Sequence, residues 1–185
     1  SRGTVTLPLR DGGTLTMGGR DYSIHHRPGH SPSDLVLFNG DTGLLVGGDH
    51  LLAHISSNAL VSRPLEGVTG GARPTPLIDY NSSLRATRAM GVSTVLTGHG
   101  EAISDHAALI DTRLSDIERR ARKILSLISN EPLSAHAIAQ RMWGEIAIKQ
   151  AYLTLSEVLG HLDLLLAAGS AQEAESDGVS LFAAA

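Results

Sequence analysis

Cysteine is absent from the 185 residues of this chain. A disulfide scaffold, a thiolate metal site and a cysteine nucleophile are therefore excluded, and any metal ligands must be histidine or carboxylate. No apolar run approaches the roughly 18 residues of a membrane helix, and the polar start lacks the apolar core of a signal peptide. We therefore expect a cytoplasmic protein without membrane contact. Because Ser1 is not a natural initiator, we also expect a processed or truncated chain.

A strong excess of one charge is also missing, since 15 basic residues face 19 acidic ones and the net charge is −4. This balance argues against a polyanion-binding protein. Hydrophobic residues make up 42% of the chain and charged residues 18%, which is typical of a globular protein with a buried core. We find no internal repeat, low-complexity tract or dinucleotide-binding glycine fingerprint. The length allows one domain, or a domain with a small appendage.

The first part of the chain is predicted to be rich in β-structure. Period-two alternation and short apolar runs predict strands at residues 4–9, 14–17, 22–26, 35–38, 44–46 and 93–96. The fourth and fifth of these flank a glycine-containing loop and predict a hairpin that is buried on both faces. Residues 81–90 predict a helix. Residues 53–79 combine proline and glycine without periodicity, which predicts a long loop or lid.

The remainder of the chain is predicted to be helical. Apolar residues recur there at spacings of three and four and predict one long helix with an apolar stripe, formed by Ile110, Leu114, Ile117, Ala121, Ile124 and Ile128. Ser134 can cap a short helix that reaches Trp143, and a leucine-rich helix ends at Gly169 before a polar hairpin. This order of elements is that of a winged helix-turn-helix, with residues 107–129 as the connector.

Three side chains that can bind metal follow predicted strand ends. His30 follows Pro28, Asp49 follows an apolar strand, and His99 lies between two glycines. Pro28 prevents the helix that a zinc site made of His26 and His30 would need. Taken singly, His30 can be a turn residue, Asp49 a solvated turn aspartate and His99 an exposed histidine. Together, imidazole and carboxylate suit Zn²⁺, Mn²⁺ or Fe²⁺, so we interpret the three as one metal site.

Residues 26–31 (HRPGHS), 48–52 (GDHLL) and 97–100 (TGHG) resemble, in this order, the later motifs of the metallo-β-lactamase-fold hydrolases. The helical tail narrows the resemblance to the branch with glyoxalase II-like thioester hydrolases and lactamase-like RNA endonucleases. The resemblance implies an α/β (α+β) fold, in which residues 1–106 form the second half of a metallo-β-lactamase αβ/βα sandwich. A winged-helix-like α-helical domain follows at residues 130–185.

The resemblance also implies metal-dependent hydrolysis. In the family, the residues that match His30 and Asp49 bind metal, the aspartate bridges two ions and orients the catalytic water, and the residue that matches His99 completes the second site. The whole enzyme would hold one or two zinc ions, or manganese or iron, and cleave an ester, thioester, lactam or phosphodiester with a metal-activated water. His50 would hold the loop by hydrogen bonding or lie at the surface. Tyr80 would contact substrate or pack as a core aromatic.

The family's first motif, His-x-His-x-Asp-His, does not occur in the sequence. We expect it upstream of residue 1. This chain would then be the C-terminal portion of a hydrolase, would be inactive alone and would not need to bind metal by itself. The apolar sheet face left by the missing half would be covered by a partner or by self-association. The substrate would be a small molecule or nucleotide-type compound. Arg63 and Arg73 in the long loop would contact an anionic substrate or simply be solvated.

Two alternatives remain open from the sequence. A winged-helix protein that binds nucleic acid is one of them. Residues 130–185 argue against it, because seven acidic and two basic residues give this segment a net charge of −5, whereas a recognition helix needs cations that face phosphate. The other alternative is a non-catalytic structural fragment.

Overall fold

The computed structural model describes residues 7–62 and 73–185. Its strands and helices, in chain order, are β1 (Thr14–Met17), β2 (Arg20–His26), β3 (Leu35–Asn39), β4 (Leu44–Gly48), α1 (Pro76–Arg88), β5 (Thr94–Thr97), α2 (His106–Ile128), β6 (Leu133–Ser134), α3 (Ala135–Trp143), α4 (Glu145–Lys149), α5 (Ala151–Ala167), β7 (Ala171–Ser176) and β8 (Val179–Ala184). None of the helices in these two ranges is both long and apolar enough to cross a membrane.

The first five strands form one sheet in the order β1-β2-β3-β4-β5. Neighbouring strands are antiparallel from β1 to β4, and β5 runs parallel to β4. Val36, Leu45 and Val95 lie on one face of this sheet and are fully buried. They share a core with apolar side chains of α1 and α2, so the two helices cover this face. The predicted α/β architecture of this part of the chain is confirmed.

The opposite face of the sheet is more open. Its side chains include a row in register across four strands, and the exposed fraction rises along it from 2% at Ile24 to 42% at Leu96, with Leu37 and Val46 between them. The prediction of a β3–β4 hairpin buried on both faces is confirmed for the first face only, since Leu37 and Val46 are partly buried on this one. The physical reason is that α1 and α2 both pack on the other side, and no helix of the described residues packs on this one.

Helix α2 links two hydrophobic cores. Its apolar stripe is buried as predicted, with Ile110, Leu114 and Ile117 in the core beneath the sheet. Ile124 and Ile128 belong to a second core that includes side chains of α3, α5 and β8. The Asp105 carboxylate begins the helix by accepting a hydrogen bond from the Ala108 amide at 3.0 Å.

The C-terminal elements enclose the second core. Ser134 caps α3 by accepting a hydrogen bond from the Ala137 amide at 3.2 Å, as the sequence predicts. A small sheet follows the order β6-β8-β7, with β7 and β8 forming the predicted hairpin. Helix α5 packs closely against α1 at Gly160. A Cβ at that position would lie 2.9 Å from the Leu77 Cβ. Helix α4 is an element that periodicity does not predict.

Some predicted boundaries differ from the observed ones. Helix α1 begins at Pro76 rather than at residue 81, because the missing proline N–H costs nothing in the first turn of a helix. Residues 7–9 of the first predicted strand are not in a strand. Residues 4–6 of that strand, and residues 63–72 of the predicted loop, lie outside the described residues.

Candidate metal centre

The three predicted ligands gather at one edge of the five-stranded sheet. Asp49 directly follows β4 and His99 follows β5, and the carboxyl ends of these parallel strands meet at this edge. His30 follows β2, which runs in the same direction as β4 because both are antiparallel to β3. Strand direction therefore places His30, Asp49 and His99 at the same edge of the sheet.

Each oxygen of the Asp49 carboxylate faces a different imidazole. Oδ2 lies 3.9 Å from His30 Nε2, and Oδ1 lies 3.6 Å from His99 Nε2. Two ligand atoms on one tetrahedral zinc ion are about 3.3 Å apart for bonds of about 2.05 Å, so both gaps are somewhat wide. In the ranges that the structure describes, no group of three or more His, Cys, Asp or Glu side chains has the spacing to hold an ion.

The hydrogen bonding of His30 fits a metal ligand. Its Nδ1 lies 3.1 Å from the Asn58 carbonyl oxygen. A carbonyl can only accept a hydrogen bond, so Nδ1 carries the proton, and in the neutral ring Nε2 keeps its lone pair. Histidine ligands of metals commonly donate their second ring N–H in this way. The free lone pair of His30 is on the nitrogen that faces Asp49.

Two glycines allow the Asp49 carboxylate to lie where it does. The Gly98 amide donates a hydrogen bond to the Gly48 carbonyl at 2.7 Å, which joins the ends of β4 and β5. A Cβ at Gly98 would overlap Asp49 Oδ1. Gly48 has a φ of +53°, a left-handed conformation that side chains disfavour. The Gly-Gly-Asp and Thr-Gly-His sequences therefore have a steric basis.

Hydrogen bonds from side chains hold the backbone that follows Asp49. The Ser57 hydroxyl donates to the Asp49 carbonyl, and the Tyr80 hydroxyl donates to the His50 carbonyl at 2.8 Å. His50 Nε2 lies 2.9 Å from the Thr87 hydroxyl on α1. The turn that presents Asp49 is thus tied to α1 through Tyr80 and Thr87.

His50 and Tyr80 are both buried. His50 is 1% exposed, and burial lowers its pKa to about 4, so the ring is neutral near pH 7. Tyr80 is 2% exposed, and burial raises the pKa of its hydroxyl to about 12. The suggested surface position of His50 and the suggested substrate contact of Tyr80 therefore do not match the structure. The His50 side chain joins the loop to Thr87 of α1, and the Tyr80 side chain of α1 hydrogen-bonds to the loop backbone.

Arg113 on α2 is a loop-holding residue that sequence reasoning missed. Its Nη2 lies 3.3 Å from the carbonyl oxygens of Leu52 and Ala53 and 3.1 Å from that of Ile55. The guanidinium therefore joins the segment after Asp49 to the second helix. An arginine at this position of a helix carries no sequence signal, because its partners are backbone carbonyls far away in the chain.

Of the two arginines predicted to contact an anionic substrate or to be solvated, only Arg73 lies in the described residues. Arg73 forms a bidentate ion pair with the buried Asp163, with Nη1 to Oδ2 at 3.0 Å and Nη2 to Oδ1 at 2.5 Å. Its guanidinium is therefore engaged by α5, neither free for a substrate nor simply solvated. Arg63 lies outside the described residues.

The five-stranded sheet is mixed, and two imidazoles and a carboxylate lie at the carboxyl ends of its strands. These features define an α/β protein with a candidate metal centre. The chain belongs to the metallo-beta-lactamase superfamily, whose family model matches residues 3–99. This match covers the sheet and all three candidate ligands.

Similar proteins share both parts of the chain. The probable metallo-hydrolase YqjP of Bacillus subtilis (strain 168) is 35% identical over 88% of this chain and 50% of its own length. A beta-lactamase domain protein from Burkholderia ambifaria has a TM-score of 0.87 and 28% identity over 100% of this chain and 54% of its own. For the metallo-beta-lactamase family protein TTHA1429 from Thermus thermophilus, the TM-score is 0.80 and the identity 22%, over 98% and 55% of the two chains. This chain thus spans about half the length of these relatives.

Proposed function

We propose that the 185 residues form the C-terminal portion of a metal-dependent hydrolase in which His30, Asp49 and His99 bind zinc, with manganese or iron as alternatives. The observation that carries this proposal is the arrangement around Asp49, where each carboxylate oxygen faces one imidazole nitrogen. The fixed tautomer of His30 supports it, because the ring nitrogen toward Asp49 is the one free to bind a cation. The absence of cysteine fits a metal site made of histidine and carboxylate ligands. The proposed location of the protein is the cytoplasm.

The residues of this chain have separate roles in the proposed hydrolysis. His30 and His99 would supply imidazole nitrogen ligands, and Asp49 would supply a carboxylate ligand between them. Asp49 also orients the attacking water by accepting a hydrogen bond from it. When bound, the ion lowers the pKa of water and polarises the substrate carbonyl or phosphoryl oxygen. His50, Tyr80 and the other loop-holding side chains keep Asp49 in place and take no part in the reaction.

The remaining ligands are proposed to come from a His-x-His-x-Asp-His segment outside these 185 residues. Support comes from the wide gaps around Asp49, from the open sheet face, and from relatives about twice as long. On this proposal the chain alone binds metal weakly and does not hydrolyse esters, thioesters, lactams or phosphodiesters. The longer protein that carries the segment does.

The test is metal content per chain, measured by inductively coupled plasma mass spectrometry after dialysis without chelator. We expect one or two ions per chain in the longer protein, and Asp49→Ala should remove most of this metal and the hydrolytic activity while the thermal unfolding temperature changes little. The matched control is Asp41→Ala, because Asp41 is an exposed turn aspartate. Full metal content and normal turnover in the Asp49→Ala protein would contradict the assignment.

A further inference from the structure

A groove lies between the loop after Asp49 and the start of the C-terminal helices. It has a volume of about 390 Å³, within the size range of small-molecule sites. Its apolar walls are Ile55 from the loop, Trp143 at the end of α3, Ile146 on α4 and Leu153 on α5. The groove thus joins the sheet part of the chain to its helical part.

Exposed apolar side chains concentrate around this groove. Nine large hydrophobic side chains are exposed in the described residues, and three of them, Ile55, Ile146 and Leu153, line the groove. Exposed apolar residues scattered singly are ordinary, whereas a contiguous group marks a binding surface. Ile146 is 53% exposed and Leu153 39%, so neither side chain is needed to fill the core.

The groove begins next to the candidate metal centre. Ser56 and Asn58 form its wall on the loop side, and the Asn58 carbonyl is the group that accepts the hydrogen bond from His30 Nδ1. The same loop is tied to Asp49 through the Ser57 hydroxyl. None of His30, Asp49 and His99 lines the groove, so a ligand held at the metal centre has to reach the groove past Asn58.

The charges in the groove cancel. Arg120 and Glu157 are the two charged side chains of its lining, and they form an ion pair with each other. A phosphate or nucleotide would need an unpaired cation there, whereas a hydrocarbon chain can pack on the apolar walls, beside the uncharged side chains of Gln150 and Thr154 that also line the groove. This favours a carbonyl substrate with an apolar acyl group over a phosphodiester.

Resting on the proposed hydrolase function, we infer that the groove receives the hydrocarbon acyl group of a neutral ester or thioester. In the reaction, the water oxygen forms a bond to the acyl carbon, and the acyl C–O or C–S bond breaks. One water proton goes to the leaving alcohol or thiol, and the acyl group departs as a carboxylic acid. Ile55, Ile146 and Leu153 determine specificity for the acyl chain and do not touch the reacting atoms.

Trp143 provides a direct binding assay, because it is the only tryptophan in the chain and it lines the groove. The probes are butanamide, hexanamide and octanamide, which are uncharged and resist hydrolysis, titrated while Trp143 emission is recorded. Burying one CH₂ group completely corresponds to about fourfold in affinity. Because the groove walls stay partly exposed, we expect the dissociation constant to fall about two- to threefold for each added CH₂.

Two isoleucines of α4 form a matched pair of variants. Ile146 lines the groove and Ile148 does not, and their exposed fractions are 53% and 56%. Ile146→Gln should weaken octanamide binding at least about fivefold, whereas Ile148→Gln should change it less than about twofold. Leu153→Gln should behave like Ile146→Gln. Thermal unfolding of each variant checks that the fold is retained.

Three results would overturn the inference: no dependence of affinity on chain length, equal losses from Ile146→Gln and Ile148→Gln, or a Trp143 signal that follows protein concentration instead of amide concentration. The third result would identify the groove as a contact between copies of the chain.

The binding assay needs neither metal nor turnover, so it tests the groove assignment independently of the proposed hydrolysis. In the metal-loaded longer protein, kcat/KM for 4-nitrophenyl esters should rise from acetate to octanoate, and Ile146→Gln should flatten this rise. Chain-length-dependent binding without any hydrolysis would contradict the proposed function and leave the groove as an acyl site. Hydrolysis with no chain-length preference and no Trp143 response would contradict the groove assignment alone.

Discussion

At Gly98, the lack of a side chain determines where the Asp49 carboxylate can lie. A Cβ at this position would overlap Asp49 Oδ1, and the residue does not have a left-handed φ. Gly98→Ala should therefore push the carboxylate away from His99 and shift the Gly48 backbone slightly, because the new Cβ would lie 3.1 Å from the Gly48 carbonyl carbon. Substitutions beside metal ligands commonly weaken metal binding about 10- to 100-fold, and we expect a loss in this range. The measurement is zinc affinity by competition with a chelating dye.

Gly91→Ala is the matched control for this prediction. A Cβ at Gly91 has nothing within 4 Å, and its φ is also outside the left-handed region. Its zinc affinity should equal that of the unaltered protein. If Gly98→Ala bound zinc just as tightly, the position of the Asp49 carboxylate would not matter for the metal, and the proposed role of Asp49 would lose its geometric basis.

At the scale of elements, helices α1 and α2 hold the segment that presents Asp49. Arg113 is the contact from α2, with three carbonyl oxygens of the segment near one guanidinium nitrogen. Arg113→Gln should lower the free energy of unfolding by about 1.5–3 kcal/mol, the usual value for hydrogen bonds to a charged group. Amide hydrogen exchange should also become faster within residues 50–57. Urea unfolding and exchange mass spectrometry measure the two effects.

Arg119→Gln on the same helix is the control for Arg113→Gln. Arg119 is mostly exposed and pairs with Asp116, one turn away on α2, so its loss should change stability by less than about 1 kcal/mol. Unchanged exchange in residues 50–57 of the Arg113→Gln protein would show that α2 does not hold the loop.

The elements that the sequence predicts well are those with a strong local signal. The cap at Ser134, the spacing of isoleucines on α2 and the β3–β4 hairpin each depend on neighbouring residues, and the structure has all three. The five-residue helix α4 and the two-residue strand β6 have no period long enough to detect. Strand β6 exists because β8, far along the chain, provides its hydrogen-bonding partner.

The candidate site also contains residues with a local sequence signal and residues without one. His30, Asp49 and His99 can be picked out because glycines and strand ends surround them in the sequence. Thr87 and Arg113 cannot, since nothing near them in the chain indicates that they contact the loop after Asp49. The burial of Tyr80 is likewise a property of how α1 packs on the sheet, which periodicity does not specify.

At the scale of the whole molecule, the two faces of the five-stranded sheet differ in a way that local sequence does not explain. Antiparallel sheets often expose one face, but that face then carries polar side chains. Here Leu37, Val46 and Leu96 occupy it in register. An apolar face without a covering helix in the described residues indicates that another surface packs there. We propose a companion half, or a second copy when the chain is alone.

We expect the isolated chain to self-associate through this apolar face, and a substitution at one position should weaken the association. Leu96 lies on the edge strand of the sheet and is 42% exposed, so Leu96→Lys places a charge on the face without disturbing the core. Burying one leucine is worth about 1.5–3 kcal/mol, so the dissociation constant of the self-associated state should rise about tenfold or more. Sedimentation equilibrium at several concentrations measures it.

Val179→Lys is the control, because Val179 is 50% exposed on the C-terminal hairpin, away from the sheet. It should leave the dissociation constant unchanged. A purified chain that stays monomeric at all concentrations, with Leu37, Val46 and Leu96 protected from solvent, would mean that the face is covered from within the same chain. Equal effects of the two lysines would mean that copies associate through some other surface, and the five-stranded sheet would then need no companion half.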